Sequence, residues 1–378
     1  MTEGREKVLR VMIAGGGTGG HVYPGISIYR ALEARCGKID VLFIGVRGGV
    51  ESGILDRLGL PYLLLPGRGV RGASLRAKLV APFILKWAVL RAMRAIISFK
   101  PDVVLGTGGY ASVSAILAAM LCGKLRVLQE QNSIPGLANR LLSRIANLVL
   151  LSYEESRAYV KKDVPSLVIG NPLRFEPHGQ PFSKAEALAS FGLEEGLPTI
   201  VIFGGSRGAQ SINQAGIRLA QTMSRERSAQ FILLSGERNF AWVQREVESC
   251  ASLVKVLPFL EEMERAYVAA DLAVARAGAS SVFELAAFGI PSIFVPYPYA
   301  ADDHQRHNVA RLHELAAVEV VEDSQLGGDV LVGMVKRLIE DNQRLHDMSE
   351  SMRSWVKTDA AQQAAAAISA LVKKKKSQ

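Results

Sequence analysis

The sequence predicts an α/β protein built as two doubly wound domains, and three observations carry that reading. The chain has 378 residues, and at roughly 150 residues per domain there is room for two. Its short apolar runs lack the period-two alternation of half-exposed strands, which marks parallel strands covered on both faces. The succession of strand, glycine-rich loop and helix opens the chain and begins again near residue 199.

The elements follow in order. The β-rich run 8–14 leads into the loop Gly15-Gly16-Gly17-Thr18-Gly19-Gly20 and a helical stretch over 24–35. Apolar runs at 41–45, 103–106, 127–129 and 148–151 continue the first series as strands. The span 169–198 holds Pro172, Pro177, Pro181 and Pro198 with little strand pattern, so the domain boundary belongs there. The second series opens with the strand 199–203, the loop 204–208 and a helix over 209–223. Strands follow at 231–234, 253–257, 272–275 and 293–295. The expected domains are 8–173 and 174–358. An alanine-rich helix and basic tail, 359–378, would pack back on the first domain, with Lys373 to Lys376 as a solvated end.

Composition narrows the function. With 49% hydrophobic and 21% charged residues the chain is an ordinary globular protein, which excludes disorder, collagen-like repeats and a disulfide scaffold. Cys36, Cys122 and Cys250 are widely spaced and odd in number, which suits reduced thiols and not a zinc site. The N-terminus does not read as a signal peptide. The uncharged stretch 103–123 is long enough for a bilayer, but its opening glycines make it strand, loop and buried helix, and no transmembrane segment is expected.

The glycine loops carry the chemistry. Residues 15–20 fit GxGxxG directly after a strand, a weak dinucleotide signal taken alone. The fingerprint also needs an acid at the end of the second strand to hold the ribose. That strand ends Phe43-Ile44-Gly45-Val46-Arg47, so a nicotinamide dehydrogenase is disfavoured. GxxxxGK[ST] is absent, which removes P-loop chemistry. Three loops remain, at 15–20, 106–109 and 204–208, each between an apolar strand and a helix. Backbone amides at such helix starts favour anions. Against the plain reading as tight turns, three of them point to a cleft holding phosphorylated groups from both domains.

Several of these segments are shared with one bacterial family. Gly16 to His21 with Pro24-Gly25, Gly106-Thr107-Gly108-Gly109-Tyr110, Glu130-Gln131-Asn132 and Gly170-Asn171-Pro172-Leu173-Arg174 form the first group. Gly204-Gly205-Ser206-Arg207-Gly208-Ala209, Arg276-Ala277-Gly278-Ala279 through Glu284, and Asp303-His304-Gln305 with Asn308 form the second. In these motifs the chain resembles the undecaprenyl-diphospho-muramoylpentapeptide β-N-acetylglucosaminyltransferases. The resemblance implies two Rossmann-like domains facing across a cleft, the B-type glycosyltransferase architecture. It implies transfer of GlcNAc from UDP-GlcNAc to the 4-hydroxyl of the lipid-linked MurNAc-pentapeptide, without a cofactor, at the cytoplasmic face of the inner membrane. It also assigns residues. Ser206 and Arg174 would meet the diphosphate, as would the helix start at Ala279, Ser280, Ser281, Val282 and Phe283. Glu284 would hold the ribose hydroxyls, Gln305 the GlcNAc hydroxyls and the Leu260 backbone the uracil. Thr18, Gly19, Gly20 and Asn132 would line the sugar side, and Gly108, Gly109, Tyr110 and Glu130 the acceptor side.

A β-linked product from an α-linked donor implies one in-line displacement with inversion, which needs a base at the acceptor hydroxyl. His21, just after the first loop, is the candidate, because imidazole titrates near neutrality; the rival reading has it orienting the loop. His304 and His307 beside Asp302 and Asp303 read as a polar loop, and no metal is expected. The alternatives are a UDP-GlcNAc 2-epimerase of the same architecture and a basic binding module without catalysis.

The net charge is +9, and residues 57–101 hold nine basic side chains and no acid. Between them Leu79, Phe83, Trp87 and Leu90 recur at i, i+4, i+8 and i+11, one helical stripe that Pro82 should break or start. Against a core helix with a basic face, the mix suits the surface of an anionic membrane. Nucleic acid gives the apolar residues no role.

Overall fold

The computed structural model describes residues 8–67, 75–175, 177, 179–205 and 208–377, with side chains from residue 80 onward in the helix that begins at 75. The chain divides into two compact units, Met1–Arg174 with Asp359–Gln378, and Phe175–Thr358.

Unit 1 runs β1 (Arg10–Gly15), α1 (Gly19–Cys36), β2 (Asp40–Val46), α2 (Glu51–Arg57), β3 (Tyr62–Leu65), α3 (Leu75–Phe99), β4 (Val103–Gly108), α4 (Gly109–Leu121), β5 (Leu125–Glu130), α5 (Leu137–Ser143), β6 (Leu148–Leu151) and β7 (Ser166–Val168). Its strands form one parallel sheet in the order β3-β2-β1-β4-β5-β6-β7. β1 shows why the strands are apolar throughout. Val11 and Ile13 enter the core on one face, and Met12 and Ala14 the core on the other.

Unit 2 runs α6 (Lys184–Phe191), β8 (Thr199–Phe203), α7 (Gln210–Arg225), β9 (Gln230–Leu234), α8 (Phe240–Glu246), β10 (Val254–Leu257), α9 (Met263–Ala269), β11 (Leu272–Ala275), α10 (Ala279–Phe288), β12 (Ser292–Phe294), α11 (His304–Glu314), β13 (Glu319–Val320), α12 (Val330–Glu340) and α13 (Asn342–Trp355). Its parallel sheet has the order β10-β9-β8-β11-β12-β13. β8 divides as β1 does, with Ile200 and Ile202 facing one core and Val201 and Phe203 the other. The last helix, α14 (Ala360–Lys376), returns to unit 1 and packs along α1. Ala360, Ala364, Ile368 and Val372 form its buried stripe at helical spacing.

Several expectations need correction. α1 begins at Gly19, ahead of the expected start, and carries Pro24 inside at the loss of one backbone hydrogen bond. Pro82 neither breaks nor starts its helix, because α3 continues through it for 25 residues. Lys373 to Lys376 are exposed, as expected, but form the last turn of α14 instead of an irregular tail. Arg174, expected to open the donor domain, clusters with unit 1. Ser27 Oγ on α1 donates to Leu173 O at 2.6 Å, and the Arg174 guanidinium sits 4.1 Å from the Tyr23 ring centroid.

Candidate active site

In a doubly wound sheet, ligands gather beyond the strand ends where the strand order reverses. In unit 1 that point lies between β1 and β4, and the first two glycine loops stand on those strands. They are packed into one another. Thr107 Oγ1 donates to His21 O at 2.7 Å. Gly109, at φ 75°, lies so close to Gly16 O that a side chain would collide, and a Cβ on Gly108 would stand 2.7 Å from the His21 ring.

His21 lies in the first turn of α1, whose N-cap is Thr18 and whose first residues are Gly19 and Gly20. Its Nδ1 is 3.0 Å from Gly16 O. A carbonyl only accepts, so Nδ1 carries a proton, and in the neutral imidazole Nε2 then holds the lone pair that a base requires.

Sequence reasoning missed the group that shapes the first loop. Glu51, the first residue of α2, is fully buried. It accepts from Gly17 N at 3.0 Å and from Val46 N at 2.5 Å. A side chain on Gly16, Gly45 or Gly49 would run into its carboxyl. The glycines at 45 and 49 were the available signal, since they clear room for it.

The acceptor-side residues divide. Glu130 is buried and uses both carboxyl oxygens internally, accepting from Asn132 N at 2.9 Å, Gly136 N at 3.3 Å and Asn139 Nδ2 at 2.9 Å. Gln131 Nε2 donates to Thr107 O at 2.6 Å, which ties the same turn to β4. The Tyr110 hydroxyl is buried without a partner among the described residues, its ring against Gly67, and burial pushes the phenol up. Glu130 is thus engaged within its own turn, while Tyr110 as a whole is only partly buried. Asn132 stays partly exposed beside Glu130.

In unit 2 the order reverses between β8 and β11. The third glycine loop follows β8; Ser206 and Arg207 in it lie outside the described residues. Gly278 caps the start of α10, where Ala279, Val282 and Phe283 are buried and Ser280 and Ser281 are partly exposed. Phe283 packs its ring 4.8 Å from that of Trp355, so it offers a ligand only its backbone. Glu284 accepts from Tyr267 Oη at 2.8 Å, which fixes its carboxyl one turn into the helix. Leu260, three residues past β10, is half-buried against the core. Asn308 Nδ2 donates to Ala277 O at 3.1 Å and so fastens α11 to the turn before α10.

A pocket of about 660 Å³ opens here, lined by Gly204, Gly208, Arg276, Tyr297, Tyr299 and Gln305 among others, a size that suits a small ligand. Gln305 Oε1 accepts from Tyr297 N at 2.9 Å, so its amide nitrogen is left to donate. Arg276 is buried behind it, 2.6 Å from Asp323 and 2.8 Å from Ser211 Oγ, and donates to Val295 O and Pro296 O at 3.2 Å each. Asp302 and Asp303, just before α11, hold left-handed backbone, φ 52° and 51°. Asp303 also engages Arg306, whose guanidinium is pushed further up chiefly by its bonds to Glu322. His304 Nδ1 is occupied by Ala301 O at 2.7 Å. Among the described residues no three His, Cys, Asp or Glu side chains gather as a metal would need.

The chain matches the glycosyltransferase family 28 N-terminal domain over residues 11–151 and its C-terminal domain over residues 199–368. It is 40% identical to the UDP-N-acetylglucosamine--N-acetylmuramyl-(pentapeptide) pyrophosphoryl-undecaprenol N-acetylglucosamine transferase of Chlorobaculum tepidum, over 97% of this chain and 100% of the relative. The enzyme of that name from Geotalea uraniireducens is 37% identical over 94% and 96%. The chain belongs to this transferase family. Among solved structures, MurG of Acinetobacter baumannii superposes with a TM-score of 0.74 at 27% identity, covering 96% of this chain and 99% of that one. A putative UDP-N-acetylglucosamine 2-epimerase from Listeria monocytogenes reaches 0.67 at 12% identity, covering 94% of each chain, a likeness of fold alone. The family's fold is the B-type glycosyltransferase one, and its two parallel-sheet α/β domains are the two units above.

Proposed function

We propose that this protein transfers GlcNAc from UDP-GlcNAc to the 4-hydroxyl of the MurNAc unit in the undecaprenyl-diphospho-MurNAc-pentapeptide, with inversion. The observation that carries the reading is the match, along nearly the whole chain, to transferases named for that reaction. The epimerase alternative has a likeness of fold in its favour and no more.

In this reading unit 2 holds the donor. Amides at the start of α10 and the third glycine loop, with Ser206, Ser280 and Ser281, meet the diphosphate and stabilise the charge that develops as UDP departs, and Arg174, the last residue of unit 1 before unit 2 begins, adds its guanidinium. Glu284, steadied by Tyr267, takes the ribose hydroxyls, the Leu260 backbone the uracil, and Gln305 with its nitrogen outward the sugar. Unit 1 supplies the base. His21 Nε2 takes the proton of the 4-hydroxyl as that oxygen attacks the anomeric carbon and the bond to UDP breaks. Thr18, Gly19, Gly20, Asn132, Gly108 and Gly109 line this side. No step calls for a metal or cofactor.

The acceptor's lipid requires a membrane surface, and α3 suits one. Val80, Phe83, Trp87, Leu90 and Ile97 are 50%, 74%, 57%, 48% and 64% exposed. At 100° per residue they fall on one face of the helix, with Arg94 among them. The side chain of Leu79, expected in the same stripe, lies outside the described residues. No helix of the described residues is long and apolar enough to cross a membrane. We infer peripheral attachment at the cytoplasmic face.

One assay tests the reaction. Purified protein with UDP-GlcNAc and the lipid-linked acceptor should release UDP and yield the β-linked disaccharide. Formation of UDP-ManNAc, or release of UDP without acceptor dependence, would overturn the reading.

A further inference from the structure

The cavity of unit 2 is walled mainly by polar side chains, Gln210, Ser211, Gln214 and Gln305 among them, but one side of it is aromatic. Tyr297, Pro298 and Tyr299 stand there, in the link between β12 and α11. Tyr299 is 82% exposed, more than any other large apolar side chain of the described residues. It is nonetheless held in place. Pro298 supplies the fixed φ that suits the second position of a turn, and Ala300 N closes the turn by donating to Tyr297 O at 3.0 Å. The Tyr299 ring meets that of Tyr297 edge to face, 5.6 Å between centroids at 73°. Tyr297 is anchored in turn. Its ring centroid lies 5.4 Å from the Arg276 guanidinium carbon, and its N–H donates to Gln305 Oε1 at 2.9 Å. A fixed aromatic ring thus stands beside the Gln305 amide, uncovered by its own unit.

Resting on the reading of this cavity as the donor site, we propose that Tyr299 is a platform for the pyranose ring of the donor and sets the enzyme's hold on the sugar, not on the nucleotide. The sheet order decides which part of the donor the ring can meet. Leu260, the expected uracil contact, follows β10, and Tyr299 follows β12, four strands along the order β10-β9-β8-β11-β12. At about 4.8 Å per strand that is roughly 19 Å, so a base at Leu260 is out of reach of Tyr299. The two mark opposite ends of the donor, with the start of α10 between them. A hexosamine has hydroxyls around its edge and C–H groups on its face. The Gln305 amide nitrogen serves the edge, and the negative π face of a tyrosine serves the C–H face. Stacking also removes apolar surface of both partners from water. A ring already fixed by its turn loses little freedom on binding.

The test is calorimetry of full-length wild type, Tyr299→Ala and Tyr299→Phe with UDP and with UDP-GlcNAc. Circular dichroism confirms the fold of each. Wild type should bind UDP-GlcNAc, and Tyr299→Ala should bind it about 2- to 12-fold more weakly, the worth of one aromatic contact. Its affinity for UDP should stay at the wild-type value. Tyr299→Phe keeps the ring and should match wild type with both ligands. An equal loss for UDP and UDP-GlcNAc would overturn the platform, because the ring would then serve the nucleotide. No loss for either would overturn it as well, as would a Tyr299→Phe variant as weak as Tyr299→Ala. A rise in the KM for the acceptor with donor affinity unchanged would assign the ring to the acceptor instead and overturn the proposal. Failure of the wild-type protein to bind UDP-GlcNAc at all would refute the donor reading itself, a result separate from any of these.

Discussion

Replacing Glu51 by Gln should unlatch the loop that holds His21. The native carboxyl accepts from Gly17 N at 3.0 Å and Val46 N at 2.5 Å, and the side chain has no exposure to solvent. Glutamine keeps the shape but offers one accepting oxygen, so its amide nitrogen must face one of the two N–H groups. A buried N–H left without a partner costs ~1–3 kcal/mol, which is the loss expected for E51Q; Glu51→Ala strands both donors and loses about twice that. The cost falls on the loop, so it should be read as local opening. Amide exchange at Gly17 should rise roughly 5- to 150-fold, at 1.4 kcal/mol per decade. Turnover should fall with it, because His21 Nδ1 is tied to Gly16 O in the same loop and a displacement of about 1 Å can cost on the order of 10²-fold. Hydrogen exchange read by mass spectrometry on peptides covering residues 14–20 and 43–49, beside steady-state UDP release, measures both. Wild-type exchange at Gly17 would refute the latch. Raised exchange with unchanged turnover would keep the latch and remove its link to the base.

Three further outcomes follow from the geometry. His21→Ala should lower kcat by about 10²–10⁴-fold, the worth of a general base, while donor affinity measured by calorimetry barely moves; a parallel fall in both would make His21 a binding residue. Glu284→Ala should weaken UDP-GlcNAc by one to two decades, from a lost bond of ~1.5–3 kcal/mol to a charged group, and Tyr267→Phe should weaken it less, since only the carboxyl's anchor is removed. Unchanged calorimetry for both would take Glu284 out of the site. Asp323→Asn leaves the Arg276 guanidinium underpaired and should destabilise unit 2 by about 1–3 kcal/mol, below the usual loss for a fully buried pair because Asp323 keeps some solvent contact. That is a fall of about 2–4 °C per kcal/mol in its thermal unfolding, and no shift would mean the pair contributes nothing.

The parts of this fold legible in the sequence were those that local pattern determines. β6, β8 and β11 begin and end where their apolar runs do, because a strand covered on both faces has no polar positions to blur its limits. β3, β7 and β13 are short edge or near-edge strands of two to four residues, too brief to rise above their surroundings. α6 did carry a readable signal, the Ser183–Glu186 capping box, inside a stretch taken as linker. The site was legible where glycine loops flag it and illegible where the chemistry arrives from far along the chain. Glu51 reaches Gly17 across 34 positions, and Asp323 reaches Ser211 across 112. Neither spacing has a local signature. The acid missing from the second strand, which argued against a dinucleotide, has a counterpart a few residues on that serves the loop itself.

The return of α14 to unit 1 has a bearing on how the protein comes into being. The α1 surface that it covers includes Ile28 and Leu32 in the core beside Ile368 and Val372. A ribosome delivers residues 8–174 long before residue 360, so the first unit emerges with that surface uncovered and stays so while unit 2 is made. Domains folding as they emerge expose whatever apolar area still lacks its cover. For this chain, the first half to be synthesised is among the last to be finished. A fragment ending at residue 174 is therefore an incomplete unit, and joining the final helix directly to residue 8 through a short linker would be the way to obtain it whole.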